Sequence, residues 1–253
     1  MSKIFLDISY LGTAYQGYQV QGDAPTVQKK LNEATKALFG IDCDVVGCSR
    51  TDSGVHANQF CATVTEKGKG YLNTGVPTQK IASALNFYLP SDIAVNGVKI
   101  VDDSFHPRYD VKCKEYIYVI WNGKERDPFV FDRSWHYPKH ISNEALENMN
   151  AAAKKLIGTK DFSSYMASNS TVQSTVRTIF DASLERDGNI IRFRISGDGF
   201  LYNMVRIIVG TLINVAEEKL SVEDIDKITE ARDRRLAGIT APPQGLYLNK
   251  VVY

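Results

Sequence analysis

Hydrophobic and polar residues alternate along Lys3–Tyr10, a pattern typical of a half-buried β-strand. Apolar residues then recur at helical spacing between Thr26, a suitable N-cap, and Gly40, a suitable stop. The pattern next predicts two strands, a helix and a strand, at about Asp42–Cys48, His56–Thr65, Thr78–Tyr88 and Ile93–Val101. The resulting order, β-α-β-β-α-β, is that of a ferredoxin-like fold.

A similar order follows from Ser104 onward. The predicted elements are a strand Val111–Trp121, a helix Ile141–Gly158, a hairpin about Asp187-Gly188-Asn189, a helix from near Gly199 to about Glu217, a shorter helix after Ser221, and a last strand in residues 245–253. The duplication is one of pattern, without a residue-by-residue repeat. We therefore predict an α+β fold of two ferredoxin-like halves, residues 1–103 and 104–253, with their sheets side by side and a central active-site cleft.

Composition narrows the possible partners and compartment. The 253 residues carry a net charge of only +1, so a nucleic acid must be bound by a local basic surface. We find no signal peptide and no membrane-spanning run, and buried, reduced cysteines in strand-like segments suit a cytoplasmic protein. A zinc cluster of Cys43, Cys48, His56 and Cys61 is disfavoured because Cys-x-x-Cys spacing is missing, so we expect no metal.

The segment "GCSRTDSGVH", residues 47–56, lies between two predicted core strands. Asp-Ser-Gly is good turn chemistry, because Asp can cap the backbone and Gly can adopt a positive φ. Alternatively, Asp52 is held at this joint to take part in a reaction. The segment by itself leaves both interpretations open and favours the turn.

Two other places could carry chemistry. The apolar segment "GFLYNMVRIIVGTLINV" has one polar stripe, in which Arg206 must either pair with an anion or extend its guanidinium to solvent. In "KEYIY", Tyr116 and Tyr118 lie on the same face of a strand. Tyrosines so placed either fill the core or stack on a base in a cleft.

Six segments, spread over essentially the whole chain, resemble the tRNA pseudouridine synthase A (TruA) family. They are "GCSRTDSGVHA", "GFLYNMVRIIVGTL", "TAPPQGLYL", "YLGTAYQGYQVQ", "SFHPRYDVKCKEYIYVI" and "KDFSSYMASNSTVQSTVRTI". The resemblance implies an isomerase that converts uridine to pseudouridine in the anticodon stem-loop of tRNA, with positions 38 to 40 expected. It further implies that no cofactor is needed and that the protein is a homodimer.

The resemblance also implies a role for particular residues. Asp52 would be the nucleophile, and Arg206 its partner across the cleft. Tyr116 would stack on the target base, where it is also a candidate for proton transfer. Arg50 would fill the gap left when that base flips out of the RNA. His56 is interpreted as a structural hydrogen-bonding residue of the motif.

The chain departs from the family pattern at Leu11, Tyr18, Cys48-Ser49, Asn203 and Ile207. None of these departures removes the proposed chemistry. Two other functions compete with it. A non-catalytic RNA-binding protein with paired RNA-recognition-like sheets would not need Asp52, but the aromatic signatures of that module are missing. An acid–base hydrolase would need a second carboxylate near Asp52, where the motif provides an arginine.

Overall fold

The computed structural model of the protein describes residues 2–168 and 172–253. Residues 169–171, which belong to the segment "KDFSSYMASNSTVQSTVRTI", lie outside the described residues. The chain forms two compact units. Unit 1 comprises Met1–Lys112 and Leu248–Tyr253, and unit 2 comprises Cys113–Tyr247. The α+β fold class is confirmed, while the division into halves 1–103 and 104–253 stays a prediction.

Unit 1 contains the predicted order β-α-β-β-α-β. Its elements are β1 Ser2–Tyr10, α1 Val27–Phe39, β2 Cys43–Gly47, β3 His56–Glu66, α2 Thr78–Tyr88 and β4 Ile93–Asp102. All strand pairs of this set are antiparallel: β1 lies between β4 and β3, and β2 pairs with β3. Ile4, Phe5 and Leu6 are all buried, on both faces of β1, and the Phe5 ring packs against the rings of Phe105 and Tyr253.

Local sequence accounts for the helix ends in unit 1. The Thr26 side chain accepts a hydrogen bond from the amide of Lys29, and Gly40 ends α1 in the left-handed conformation, with φ of 70°. Helix α2 ends at Tyr88, directly before Leu89 and Pro90. Tyr88, the last residue of α2, is exposed.

Unit 2 is more elaborate than predicted. Its elements are β5 Cys113–Trp121, β6 Trp135–His136, α3 Asn143–Lys154, β7 Gly158–Asp161, β8 Val176–Asp187, β9 Ile190–Gly197, α4 Met204–Ala216 and α5 Asp224–Ala231. Strand β10, Leu246–Val252, begins in unit 2 and ends in unit 1. The strand order in unit 2 is β5-β9-β8-β7, with β6 parallel to β5. The short strands β6 and β7 were not predicted.

The predicted hairpin is confirmed, with Gly188 at φ of 58° between β8 and β9. Helix α4, in contrast, begins at Met204 and not near Gly199. Asn203, directly before it, has φ of 59° and ψ of 8°, a left-handed conformation that a right-handed helix cannot include. Ten of the thirteen residues of α4 are buried, as its apolar sequence predicts.

None of the helices in the described residues is long and apolar enough to cross a membrane.

A charged cluster closes the C-terminal end of α4. The Glu217 carboxylate accepts hydrogen bonds from the Tyr137 hydroxyl at 2.8 Å and the Lys139 ammonium at 3.1 Å. It also pairs with Lys219 at 2.6 Å. The hydrogen bond from Lys219, followed by those from Tyr137 and Lys139, lowers the pKa of Glu217 to about 2. The ionised form therefore stabilises the fold above the carboxyl group's usual pKa of 4.5, and this stabilisation is lost as pH falls toward 2.

We expect Glu217→Gln to lower the free energy of unfolding by about 1 kcal/mol at pH 7, the scale of a partly exposed charged hydrogen bond. The difference from wild type should shrink as pH falls from about 4.5 toward 2, because the wild-type carboxylate becomes protonated over that range. Urea denaturation followed by circular dichroism at several pH values measures this. Glu147→Gln, on the exposed face of α3, is the matched control. A pH-independent difference for Glu217→Gln would contradict the assignment.

Candidate active site

The segment that joins β2 to β3, residues 48–55, is called the Asp52 loop here, and its irregular backbone is fixed at several points. Thr51 is buried, and its side-chain hydroxyl is hydrogen-bonded to the hydroxyl of Tyr10 at 2.8 Å. The carbonyl of Thr51 accepts from the amide of Tyr18 at 3.2 Å. Farther along, the Gly54 amide donates to the carbonyl of Tyr15 at 3.2 Å. Residues 10–18 thus bind the Asp52 loop along its length.

Two glycines allow residues 10–18 to approach so closely. A Cβ atom on Gly12 would lie 2.0 Å from the carbonyl oxygen of Val55, and one on Gly17 would lie 2.5 Å from that of Thr51. Gly17 also has φ of 84°, which favours glycine. The conformation of the Asp52 loop therefore depends on glycine at both positions of "YLGTAYQGYQVQ".

His56 is a fully buried residue at the end of the Asp52 loop. Its Nδ1 atom accepts a hydrogen bond from the amide of Gly12 at 2.9 Å. Next to it, the pairing of β1 with β3 shifts register between Ile8 and Tyr10, a β-bulge of the kind that often lies beside active sites. Among the described residues, no group of three or more His, Cys, Asp and Glu side chains is placed to hold a metal ion.

The predicted turn is present at Asp52. The amide of Val55 donates to the carbonyl of Asp52 at 3.2 Å, and Gly54 has φ of 78°. The Asp52 side chain is half-buried, and Arg50 is exposed. The turn and the functional interpretation are therefore compatible, because the turn is the means by which a partly accessible carboxylate is held in place.

Arg206 lies in the first turn of α4, in unit 2. Its Nε atom donates to the carbonyl of Ala241 at 2.7 Å, and its Nη1 atom donates to Oδ1 of Asn203 at 2.7 Å. The amide of Ala241 in turn donates to the carbonyl of Arg206 at 3.1 Å. These contacts fix the guanidinium group, which is half-buried and is not simply extended into solvent.

The face of α4 that carries Arg206 and Gly210 lies against the segment 238–241. A Cβ atom on Gly210 would lie 1.9 Å from the carbonyl oxygen of Ile239, and one on Gly238 would lie 2.3 Å from the carbonyl carbon of Gly210. The Thr211 hydroxyl accepts from the amide of Gly238 at 2.9 Å. The motifs "GFLYNMVRIIVGTL" and "TAPPQGLYL" are thus physically linked, since the contacts of Arg206 reach the start of the second motif.

The two tyrosines of "KEYIY" share the buried face of β5. Tyr118 is fully buried, and its hydroxyl donates to the carbonyl of Pro242 at 2.7 Å, so the core interpretation is correct for this residue. Burial raises the pKa of Tyr118, and the nearby charge of Arg206 opposes that rise. Tyr116 is largely buried, with its ring 5.0 Å from that of Phe200 in an edge-to-face contact. Stacking of Tyr116 on a base stays a prediction.

Asp52 and Arg50 therefore lie in unit 1, and Tyr116 and Arg206 lie in unit 2. Sequence reasoning did not identify Thr51 or Asn203 as residues that support the site. A hydroxyl next to Asp52 was the available signal for the first, and a polar residue three positions before Arg206 was the signal for the second.

Comparison with known proteins identifies close relatives. A family described as tRNA pseudouridine synthase matches residues 152–253. "tRNA pseudouridine synthase A" of Thermoanaerobacter sp. (strain X514) is 45% identical over 255 residues, covering 100% of both chains. The protein of the same name from Acetivibrio thermocellus is 44% identical over 254 residues, again with 100% coverage of both. Among solved structures, a chain of a Cbf5-Nop10-Gar1 complex aligns with 97% of this chain and 58% of its own length, with a TM-score of 0.34 and 10% identity.

The close approach at Gly12 gives a prediction for stability. Gly12→Ala should lower the free energy of unfolding by about 1–3 kcal/mol, because its Cβ atom would displace the backbone of Val55. Gly75→Ala is the control in the same unit, since its Cβ atom would meet nothing within 4 Å, and should change stability by less than about 0.5 kcal/mol. Urea denaturation of both variants measures the effect. Equal stability of the two variants would show that the loop tolerates displacement.

Proposed function

The chain belongs to the tRNA pseudouridine synthase A family and is an isomerase that acts on tRNA, and from this premise we propose that it converts uridine to pseudouridine at positions 38 to 40 of the anticodon stem-loop, with Asp52 as the nucleophile. The observation that carries the proposal is the Asp52 loop. Its neighbouring residues Thr51 and Gly54 are fixed by hydrogen bonds, while the carboxylate between them is half-buried.

The reaction requires a base to change its attachment without leaving the enzyme. The bond from C1′ of the ribose to N1 of uracil breaks, the uracil rotates and a bond from C1′ to C5 forms. C5 then releases its proton and N1 takes up a proton, so the product is an isomer of the substrate. An ionised carboxylate can attack as a nucleophile or promote elimination through a glycal, and both routes begin from Asp52 in its charged form. No redox change occurs, and we propose that the reaction proceeds without a cofactor.

The other proposed roles follow the family resemblance. We propose Arg206 as the cationic partner of Asp52, and its two hydrogen bonds to Ala241 and Asn203 support a fixed orientation of the guanidinium. Tyr116 is proposed to stack on the flipped uracil and to serve in proton transfer. Arg50, exposed two residues before Asp52, is proposed to fill the space that the flipped base leaves in the RNA.

The assembly and compartment are also part of the proposal. We propose a homodimer in which tRNA contacts both subunits, acting in the cytoplasm without a metal ion. None of Cys43, Cys48, Cys61 and Cys113 forms a disulfide, which suits a reducing compartment.

Asp52→Asn should abolish pseudouridine formation and leave tRNA binding within a few-fold of wild type, because the amide keeps the size of the side chain and removes its negative charge. Tritium release from tRNA transcripts labelled at C5 of uracil, with the products mapped by position, measures turnover. Asp44→Asn, an exposed carboxylate in the same unit, is the matched control. Turnover by Asp52→Asn within a few-fold of wild type would favour a non-catalytic role for this residue, as the RNA-binding alternative requires.

Arg206→Lys should lower kcat/KM about 100-fold, because an ammonium group keeps the charge but cannot reproduce the two donations made by Nε and Nη1. Arg235→Lys is the matched control. Arg235 is exposed and paired with Asp233, and its replacement should leave kcat/KM at the wild-type value. Circular dichroism and tRNA binding first establish that the Arg206 variant is folded. A folded Arg206→Lys with wild-type kcat/KM would remove this residue from the mechanism.

A further inference from the structure

The segment "SFHPRYD", residues 104–110, is here called the 104–110 loop, and its base is fixed to unit 1. The ammonium group of Lys3 donates to the carbonyl of Phe105 at 2.9 Å. The Phe105 ring packs against the rings of Phe5 and Tyr253, with centroids 5.7 Å and 5.0 Å apart. The Tyr253 hydroxyl donates to the carbonyl of Pro107 at 2.8 Å. Both the ring and the backbone at the base of the loop are therefore held by the core.

His106 organises the tip of the loop. Its Nδ1 atom accepts hydrogen bonds from the amides of Arg108 at 3.1 Å and Tyr109 at 3.3 Å. Its own amide donates to the Asp110 carboxylate at 2.8 Å, and the amide of Asp110 donates back to the carbonyl of His106 at 3.1 Å. Since Nδ1 receives two donors, the imidazole ring has a fixed orientation.

The Tyr109 ring lies against this fixed imidazole. The two ring centroids are 4.2 Å apart, and the planes are inclined by 31°. One side of the tyrosine is thus occupied, yet 76% of the residue remains exposed. The fold gains little from a ring so exposed, although it holds that ring in one place.

Arg108 directly precedes the ring in sequence and is exposed. Within residues 2–168 and 172–253 it forms no ion pair with a carboxylate. Asp110 is the nearest acidic residue in sequence, and its carboxylate is bound to the amide of His106. A pre-oriented aromatic ring beside an exposed guanidinium is a combination that suits a nucleic acid, whose bases stack and whose phosphates attract cations.

We propose that Arg108 and Tyr109 form a tRNA contact separate from the reacting residues, in which Tyr109 stacks on an unpaired base and Arg108 binds a backbone phosphate. His106 contacts the other face of the Tyr109 ring, so that the base, Tyr109 and His106 form one stack. The proposal rests on tRNA being the substrate, but it does not depend on Asp52 being the nucleophile. A protein partner is disfavoured because the tip offers one exposed ring and one exposed guanidinium, while protein contact surfaces have an apolar core of several residues.

The dissociation constant for an unmodified tRNA transcript tests the stacking contact. Tyr109→Ala should weaken binding about tenfold, the scale of one lost base–aromatic stack, whereas Tyr109→Phe should bind within about twofold of wild type. Phe87→Ala is the matched control, because Phe87 is 83% exposed in the same unit and should not affect binding. Equal binding by Tyr109→Ala and Phe87→Ala would overturn the stacking contact.

The salt dependence of binding tests the phosphate contact. The logarithm of the association constant decreases linearly with the logarithm of salt concentration. In Arg108→Gln, this decrease should be shallower, with the magnitude of the slope smaller by about 0.7 to 0.9, the value for one phosphate contact. An unchanged slope would overturn this part of the proposal. If Tyr109→Ala has a lowered melting temperature, its weaker binding does not separate a lost stack from a disturbed fold. The slope measured with Arg108→Gln then decides whether the loop contacts tRNA, since that change leaves the ring contacts in place.

Two controls isolate the tRNA contact made by Arg108 and Tyr109. The same binding measurements in the Asp52→Asn background should give the same ratios, so a failure of the proposed nucleophile would not alter the result. Sedimentation of Tyr109→Ala should match wild type. A change in oligomeric state, with tRNA affinity per active site unaltered, would show that the tip contacts a second protein chain and would overturn the RNA contact.

Discussion

Irregular backbone that passes through a packed interior must still satisfy its amide and carbonyl groups. This constraint governs the Asp52 loop in unit 1 and the surroundings of Arg206 in unit 2. In unit 1, the Asp52 loop meets it through hydrogen bonds with residues 10–18. In unit 2, the segment that begins at Gly238 meets it through the side chains of Thr211, Arg206 and Tyr118. Each site is therefore rigid for the same reason: the polar groups of a loop are bound by the regular elements or loops beside it.

This constraint gives some residues a double role. Arg206 is proposed to act in catalysis, and it is also a donor to the carbonyl of Ala241. Thr51 is buried and hydrogen-bonded, and its position directly precedes Asp52. Replacing such a residue changes the fold of the site and its chemistry together. For this reason a loss of activity is informative only when tRNA binding and folding are measured on the same variant.

Much of the fold could be predicted from local patterns. The bounds of α2, Thr78–Tyr88, agree with the prediction at both ends, and Thr26 and Gly40 bracket α1 as expected. Elements determined by distant contacts were not predictable in this way. Strand β6 has only two residues and exists because it pairs with β5, and the start of α4 depends on a left-handed Asn203 that no periodicity indicates. For the site, the motifs located Asp52 and Arg206 in sequence. The hydrogen bond between Gly12 and His56, 44 positions apart, required the structure.

The contact between Gly210 and Gly238 has a consequence for how this protein can change during evolution. Each missing Cβ atom would meet main-chain atoms of the opposite segment, and main chain is common to all amino acids. A substitution at one position consequently has no second-site suppressor at the other, since no side chain there can be made smaller. Purifying selection is therefore expected to retain both glycines together.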